Sequence, residues 1–193
     1  MSFDIYVLVP ARSWPTARQL DDALLEAGYP VRLGDRSPLA WDAPLAPVAA
    51  EPIRFTVQDA NQAQILGQPV GAEMEMPHEI VMPVVLDDVV LDPDFCWETL
   101  TDVASLNSQL EDIQAGAVAE IGDHLVWFSH HVDQRNYNAG MYILAALILR
   151  FDGYGFEMQG ASHGREAFVR ELLESLYPEP VENPLADLGA ATF

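Results

Sequence analysis

The sequence predicts a mixed α/β (α+β) fold, in which helices pack on a mixed sheet. Two strand–helix–strand patterns predict this fold, and several β-rich runs and one further helical run separate them. The junctions LLEAGYPVRL and LRFDGYGFEM echo each other, which indicates an internal duplication. We therefore expect one domain over residues 1–177, with 1–90 and 91–177 as candidate ferredoxin-like βαβ halves, followed by a C-terminal tail over residues 178–193.

The second pattern predicts the core of the domain. Leu125–Phe128 is a short apolar run typical of a buried strand. Met141–Leu149 is almost wholly apolar, and a helix that is apolar all round is enclosed by other elements. It is too short to cross a bilayer, which needs about 20 such residues. Gly153 ends the helix, and Tyr154–Met158 returns as a strand that lies beside the first strand or one strand away.

The first pattern is shorter. Phe3–Val9 alternates and is rich in β-forming residues, which predicts a strand. Apolar residues from Leu20 to Ala27 follow helical spacing, and Gly28 ends that helix before the strand Pro30–Leu33. The other predicted elements are a loop over Ser37–Pro52, strands over Ile53–Gln58, Val70–Met76, Ile80–Leu86 and Val89–Leu91, and helices over Glu98–Gln114 and Arg165–Leu176.

The chain is strongly acidic. It contains 30 Asp and Glu residues against 9 basic residues, all of them arginine, for a net charge of −21. Such a charge repels nucleic acid and anionic membranes and attracts basic proteins. The single cysteine, Cys96, leaves no pair for an internal disulfide and fits a reducing compartment. Because the first residues also lack the basic region of a signal peptide, we expect a cytoplasmic protein with no membrane partner.

The acids are unevenly distributed along the chain. Between Phe55 and Gln134 there are fifteen acids and no arginine. This pattern is typical of a solvated face, and also of an acidic docking surface that attracts a basic protein partner. The residues that we predict to bind the partner are Glu73, Glu75, Glu79, Asp87, Asp88, Asp92, Asp94, Glu98 and Asp102.

One motif bears on nucleophilic catalysis. Gly160–Gly164 matches G-x-S-x-G between a predicted strand and a predicted helix, which is the context of a nucleophile elbow with Ser162 as the nucleophile. In that fold the acid and the histidine follow the serine, yet no histidine follows His163. A glycine-rich turn with a serine cap explains the same residues.

His130, His131 and Asp133, with His124 upstream, are candidate metal ligands. Adjacent residues on a strand point to opposite faces, so His130 and His131 do not readily share an ion. No HExxH motif or cysteine pair accompanies them, and the four aspartates from 87 to 94 lack EF-hand spacing. We therefore expect no catalytic residue, metal or cofactor, with a small hydrolase or metal-dependent enzyme that uses His130, His131, Asp133 or Ser162 as the alternative.

Two segments resemble parts of several small bacterial α/β families. One is Ile143–Gln159, an apolar helix followed by a glycine turn and a strand, and the other is Gly67–Met76, GQPVGAEMEM. Some of these families are immunity proteins of polymorphic toxin systems, which are often acidic, single-domain and cytoplasmic. The resemblance implies an immunity protein that binds and neutralises a toxin. We thus expect a non-enzymatic inhibitor of a basic bacterial toxin, with a DNA-mimic inhibitor as a further alternative.

Overall fold

The structure, a computed structural model, describes residues 4–34, 38–46, 48–80, 82–91, 93, 95–129, 134–157 and 162–178. The strands are β1 (Asp4–Val9), β2 (Val31–Leu33), β3 (Val48–Thr56), β4 (Glu73–Ile80), β5 (Val84–Leu86), β6 (Val89–Leu91), β7 (Phe95–Thr99), β8 (His124–Ser129), β9 (Tyr154–Glu157) and β10 (His163–Gly164). The helices are α1 (Ala17–Glu26), α2 (Pro38–Trp41), α3 (Ala60–Leu66), α4 (Ala104–Asp112), α5 (Gln134–Arg150) and α6 (Glu166–Glu174).

A central sheet of five strands has the order β10-β9-β1-β8-β7, and neighbouring strands in it are antiparallel. Val7 on β1 lies opposite Val126 on β8 and opposite Gly155 on β9. Because β8 and β9 are both antiparallel to β1, they run parallel to each other, one strand apart, and α5 connects them. The second strand–helix–strand pattern thus forms as the sequence predicts, and the α+β class is confirmed.

The first pattern forms its three elements but not within one sheet. Strand β2 pairs with β5 in a separate sheet of order β2-β5-β6. Both edges of β1 are occupied by β8 and β9, so β2 must satisfy its backbone groups elsewhere. The two patterns in the sequence therefore have different topologies.

Both faces of the central sheet are covered, because alternate residues of a strand point to opposite sides. Ile5, Val7 and Val9 belong to the larger core, together with buried residues of α1, α5 and α6. Tyr6 and Leu8 point to a second core, which lies under α4. Helix α5 is buried over almost all of its central part, as its apolar run predicts.

A two-stranded sheet pairs β3 with β4. The polar segment between them forms α3, in whose first turn the N–H groups of Asn61 and Gln62 donate to Asp59 Oδ1 at 2.9 Å.

The predicted loop over residues 37–52 is wrong in part, because this segment contains α2 and the beginning of β3. The predicted strand 80–86 is divided, with Pro83 between the end of β4 and β5, because proline lacks the N–H that a continuous ladder needs.

The predicted helix Glu98–Gln114 begins later than the sequence indicates. Residues 98 and 99 are the end of β7, where Glu98 pairs with Leu125 and Thr99 with His124. The N–H of Ala104, the first residue of α4, donates to Asp102 Oδ1 at 3.0 Å. Cross-strand pairing of the aromatic run before Glu98 outweighs the helical period at this boundary. The predicted tail lies outside the described residues except for Pro178.

Candidate protein-interaction surface

Helix α4 and the loop that follows it cover the face of the central sheet opposite to α1, α5 and α6. Leu106 and Leu110 point inward and are buried with Leu8 and Leu125 of the sheet. This burial fixes which side of α4 faces outward.

The outward side of this region carries only acidic charges. Residues 98–123 contain no arginine, and five of their acids are exposed. Among the described residues, no arginine forms an ion pair with any of these five, whereas six arginines elsewhere pair with acids. We call these five residues the acidic layer: Glu98, Asp102, Glu111, Asp112 and Glu120.

Hydrogen bonds hold the backbone of the acidic layer in place. The side-chain amide of Asn107 donates to the carbonyl of Ala119 at 3.0 Å and accepts from its N–H at 2.7 Å. The buried carboxylate of Asp123 accepts the N–H groups of Ala11 and Glu120, both at 2.9 Å. The acids therefore lie on a backbone that internal hydrogen bonds hold in place, and pre-organisation of this kind lowers the entropy cost of binding.

The described members of the predicted partner-binding set lie on or beside strands of three different sheets. Glu73 and Glu75 are exposed on β4, and Glu75 pairs with Arg54 at 3.1 Å. Asp87 and Asp88 form the turn between β5 and β6, with φ values of 50° and 62°. Both aspartates are thus in the left-handed region that a tight two-residue hairpin requires.

Of the remaining predicted partner-binding residues, the side chain of Glu79 and all of Asp92 and Asp94 lie outside the described structure. Glu98 and Asp102 belong to the acidic layer. The other members, Glu111, Asp112 and Glu120, belong to the arginine-free stretch but are not among the residues that we predict to bind the partner. Two signals in the sequence point to them. Glu111 and Asp112 lie on the polar face of the predicted helix, and all three residues lie in the arginine-free stretch.

An aromatic cluster lies at the β7 edge of the sheet. Trp97 Nε1 donates to His124 Nδ1 at 3.0 Å, and the Thr99 hydroxyl lies 3.2 Å from the same nitrogen. The Trp14 ring stacks on His124 with 4.2 Å between ring centroids, and its Nε1 donates to the Leu45 carbonyl at 3.0 Å. Burial lowers the pKa of His124, against a smaller opposing effect from Asp123. An Nδ1 that accepts from Trp97 holds the ring neutral, with its proton on Nε2.

Ser162 and His163 do not interact as a nucleophile and its base. The Ser162 hydroxyl donates to Glu171, while His163 Nδ1 lies 2.8 Å from the Tyr154 hydroxyl. A nucleophilic serine needs a base within hydrogen-bond reach, and here the serine contacts a carboxylate on α6. Burial, reinforced by the Glu171 charge, raises the pKa of the neighbouring Glu157 carboxyl.

The predicted metal ligands His130, His131 and Asp133 lie outside the described residues. In the part of the chain that is described, no group of three His, Cys, Asp or Glu side chains is placed to hold a metal ion. The same part contains no helix long and apolar enough to span a membrane. Comparison with protein-family models, curated proteins and solved structures finds no match to this chain.

Proposed function

We propose that this chain is a non-enzymatic inhibitor that binds a basic protein through the acidic layer. The observation that carries the proposal is the set of five exposed carboxylates on a hydrogen-bonded framework, none of which pairs with an arginine among the described residues. In the described part of the chain, six arginines form ion pairs, and each of them pairs with an acid outside the acidic layer.

Charge of this kind acts chiefly on association and on choice of partner. A surface of one sign raises the association rate of an oppositely charged protein by about 10- to 1,000-fold at low salt. Each exposed ion pair contributes only about 0–1 kcal/mol, so several carboxylates must act together. The arrangement therefore favours a partner with a broad basic surface over one with a single cation.

The partner class that we propose is a bacterial toxin with a basic site, with this chain as its immunity protein. The resemblance of Ile143–Gln159 and Gly67–Met76 to segments of immunity proteins supports this choice. A toxin that acts on an anionic substrate needs a basic site, and the acidic layer has the charge to occupy it. On this proposal the chain acts inside the cell that makes it.

The test compares two variants of equal charge in a tagged capture from lysate at low and at high salt. The layer variant carries Glu98→Arg, Glu111→Arg and Asp112→Arg. It leaves Asp102 intact because that carboxylate accepts the N–H of Ala104, the first residue of α4. The control variant carries three reversals on α1 and α6, on the other face of the sheet: Asp22→Arg, Glu166→Arg and Glu174→Arg.

We expect the native chain and the control variant to capture one basic protein in stoichiometric amount, and the layer variant to lose it. High salt should release that protein from the native chain, because screening shortens the reach of the carboxylates. Equal capture by the two variants would exclude the acidic layer as the binding site. No captured protein at either salt would contradict the inhibitor and would direct attention to hydrolase and metal-binding assays.

A further inference from the structure

In the described part of the chain, no strand pairs with the outer edge of β7, which lies beside the acidic layer. Strand β7 is the last strand of the central sheet and pairs with β8 on its inner side. Glu98 and Thr99 are exposed on it, and Trp97 is half-buried. A row of unpaired N–H and C=O groups on such a strand is a template for pairing with another chain.

The backbone groups that face outward can be assigned from the ladder. In an antiparallel pair, alternate residues direct their N–H and C=O groups to the same partner strand. The N–H of Leu100 donates to the Asp123 carbonyl at 2.8 Å, on the inner side. By alternation, Glu98 also bonds inward, and Trp97 and Thr99 direct their backbone groups outward. Among the described residues, no hydrogen bond satisfies these outward groups.

Among the residues that the structure describes, β3 and β4 pair only with each other, yet these longer strands are less suited to adding a further strand. Pro52 lies within β3 and Pro77 within β4. Proline lacks an N–H and interrupts a ladder, which is one way that proteins protect exposed edges. Strand β7 contains no proline.

Side chains on β7 determine which segment fits this edge. Glu98 points to the face that carries the acidic layer, and Trp97 points to the other face, where it packs with Trp14. A second copy of this chain would place carboxylate against carboxylate, which is unfavourable. An added strand with arginine or lysine on one face and apolar residues on the other would place its cations beside Glu98 and its apolar side chains beside Trp97.

We propose that the outer edge of β7 binds an extended basic segment of the partner, which adds to the central sheet as a sixth strand. This inference rests on the proposed function and specifies how the partner binds. Backbone bonds to Trp97 and Thr99 hold the segment, its cations lie against Glu98 and the rest of the acidic layer, and its apolar residues contact Trp97.

The test uses the full chain and three capped heptapeptides. The first alternates valine and arginine, the second has the same sequence with N-methyl groups on the backbone nitrogens of the edge that pairs, and the third replaces arginine with glutamate. Tryptophan emission reports binding, and amide hydrogen exchange followed by NMR reports the N–H groups of Trp97 and Thr99.

We expect the valine–arginine peptide to bind and to protect the N–H groups of Trp97 and Thr99 from exchange. Backbone methylation should weaken binding about tenfold or more, because it removes hydrogen bonds without removing charge. Glu98→Arg should weaken binding of the arginine peptide, whereas the matched control Glu166→Arg on α6 should not. The glutamate peptide should not bind.

Two outcomes would overturn strand addition. Equal binding of the methylated and unmethylated peptides, with loss on Glu98→Arg, would reject the sixth strand and leave the acidic layer as a docking surface. Absence of binding by the arginine peptide, together with unprotected Trp97 and Thr99, would also reject strand addition. The proposed function fails separately, if the layer variant retains the captured partner.

Discussion

The indole N–H of Trp97 donates to Nδ1 of His124 across 3.0 Å, and this bond requires that Nδ1 carry no proton. A protonated ring has donors on both nitrogens and cannot accept from Trp97. Burial also disfavours the charged ring and lowers the pKa of His124. The aromatic cluster at the β7 edge, in which Trp14 stacks on Trp97 and on His124, therefore depends on a neutral histidine.

We expect the contribution of His124 to stability to be complete above its ordinary pKa of 6.5 and to decline as the pH falls below that value. The pKa is lower in the folded state, so the unfolded chain binds more protons in this range and protonation favours unfolding. Denaturant unfolding at about pH 5.5 and about pH 7.5 measures the difference. His124→Asn keeps an acceptor near Nδ1 and should reduce the difference, whereas an equal difference would contradict this role.

Replacing Trp97, which donates a hydrogen bond to His124, should raise the pKa of that histidine. Trp97→Phe keeps an aromatic ring, although a smaller one, and removes the indole N–H, so Nδ1 can take a proton without breaking that bond. The Thr99 hydroxyl, 3.2 Å from Nδ1, can accept as well as donate a hydrogen bond. We expect the pKa of His124 to move up towards its ordinary value, with a loss of about 1 kcal/mol in unfolding free energy. NMR titration of the imidazole measures the first effect, and Trp127→Phe, on the other face of the sheet, serves as the control. An unshifted titration would contradict the hydrogen bond.

Gly155 lies against the Phe168 ring, so a methyl group there should destabilise the packing of α6 on β9. A Cβ at this position would overlap the ring of Phe168 and approach Ile148 Cδ1 to 2.9 Å. We expect Gly155→Ala to cost about 1–3 kcal/mol in unfolding free energy, as overpacked cores do. Gly116→Ala, where a Cβ meets nothing within 4 Å, should leave stability nearly unchanged. If Gly155→Ala and Gly116→Ala unfold at the same temperature, a Cβ at position 155 does not overlap the Phe168 ring.

Salt should stabilise the protein. Raising the ionic strength from about 0.01 M to about 1 M shortens the Debye length from about 30 Å to about 3 Å and screens repulsion within the acidic layer. We expect the melting temperature to rise with NaCl and the rise to be smaller in a neutralised variant, Glu98→Gln, Glu111→Gln and Asp112→Asn. A control neutralises the same number of acids on the other face: Asp22→Asn, Glu166→Gln and Glu174→Gln. An equal salt response in the two variants would show that the layer is not the main site of repulsion.

The central unit could be predicted because its signals are local. The apolar run from Met141 to Leu149 has one structural solution, a helix enclosed in a core, and the flanking strands follow from their own composition. The sheet to which β2 belongs could not be predicted in this way. The sheet that β2 joins depends on which strands occupy the edges of β1. Those strands, β8 and β9, lie more than 100 residues further along the chain.

The candidate site was predictable as a charge pattern but not as a surface. The arginine-free stretch indicates an acidic region, yet it includes Glu75, which pairs with Arg54 on a separate sheet. Trp97 and His124 are 27 positions apart, and neither has a sequence signal for the other. Pairings of this kind arise from strand register, which alternation constrains but does not specify.

The position of β1 also determines when the central sheet can form. This strand leaves the ribosome well before its two partners, β8 and β9, which end at residues 129 and 157. Its backbone groups and the apolar residues on both of its faces therefore lack their native partners until residue 157 has been made. Assembly of the sheet must close long loops, which predicts slow folding and a need for protection of the nascent chain.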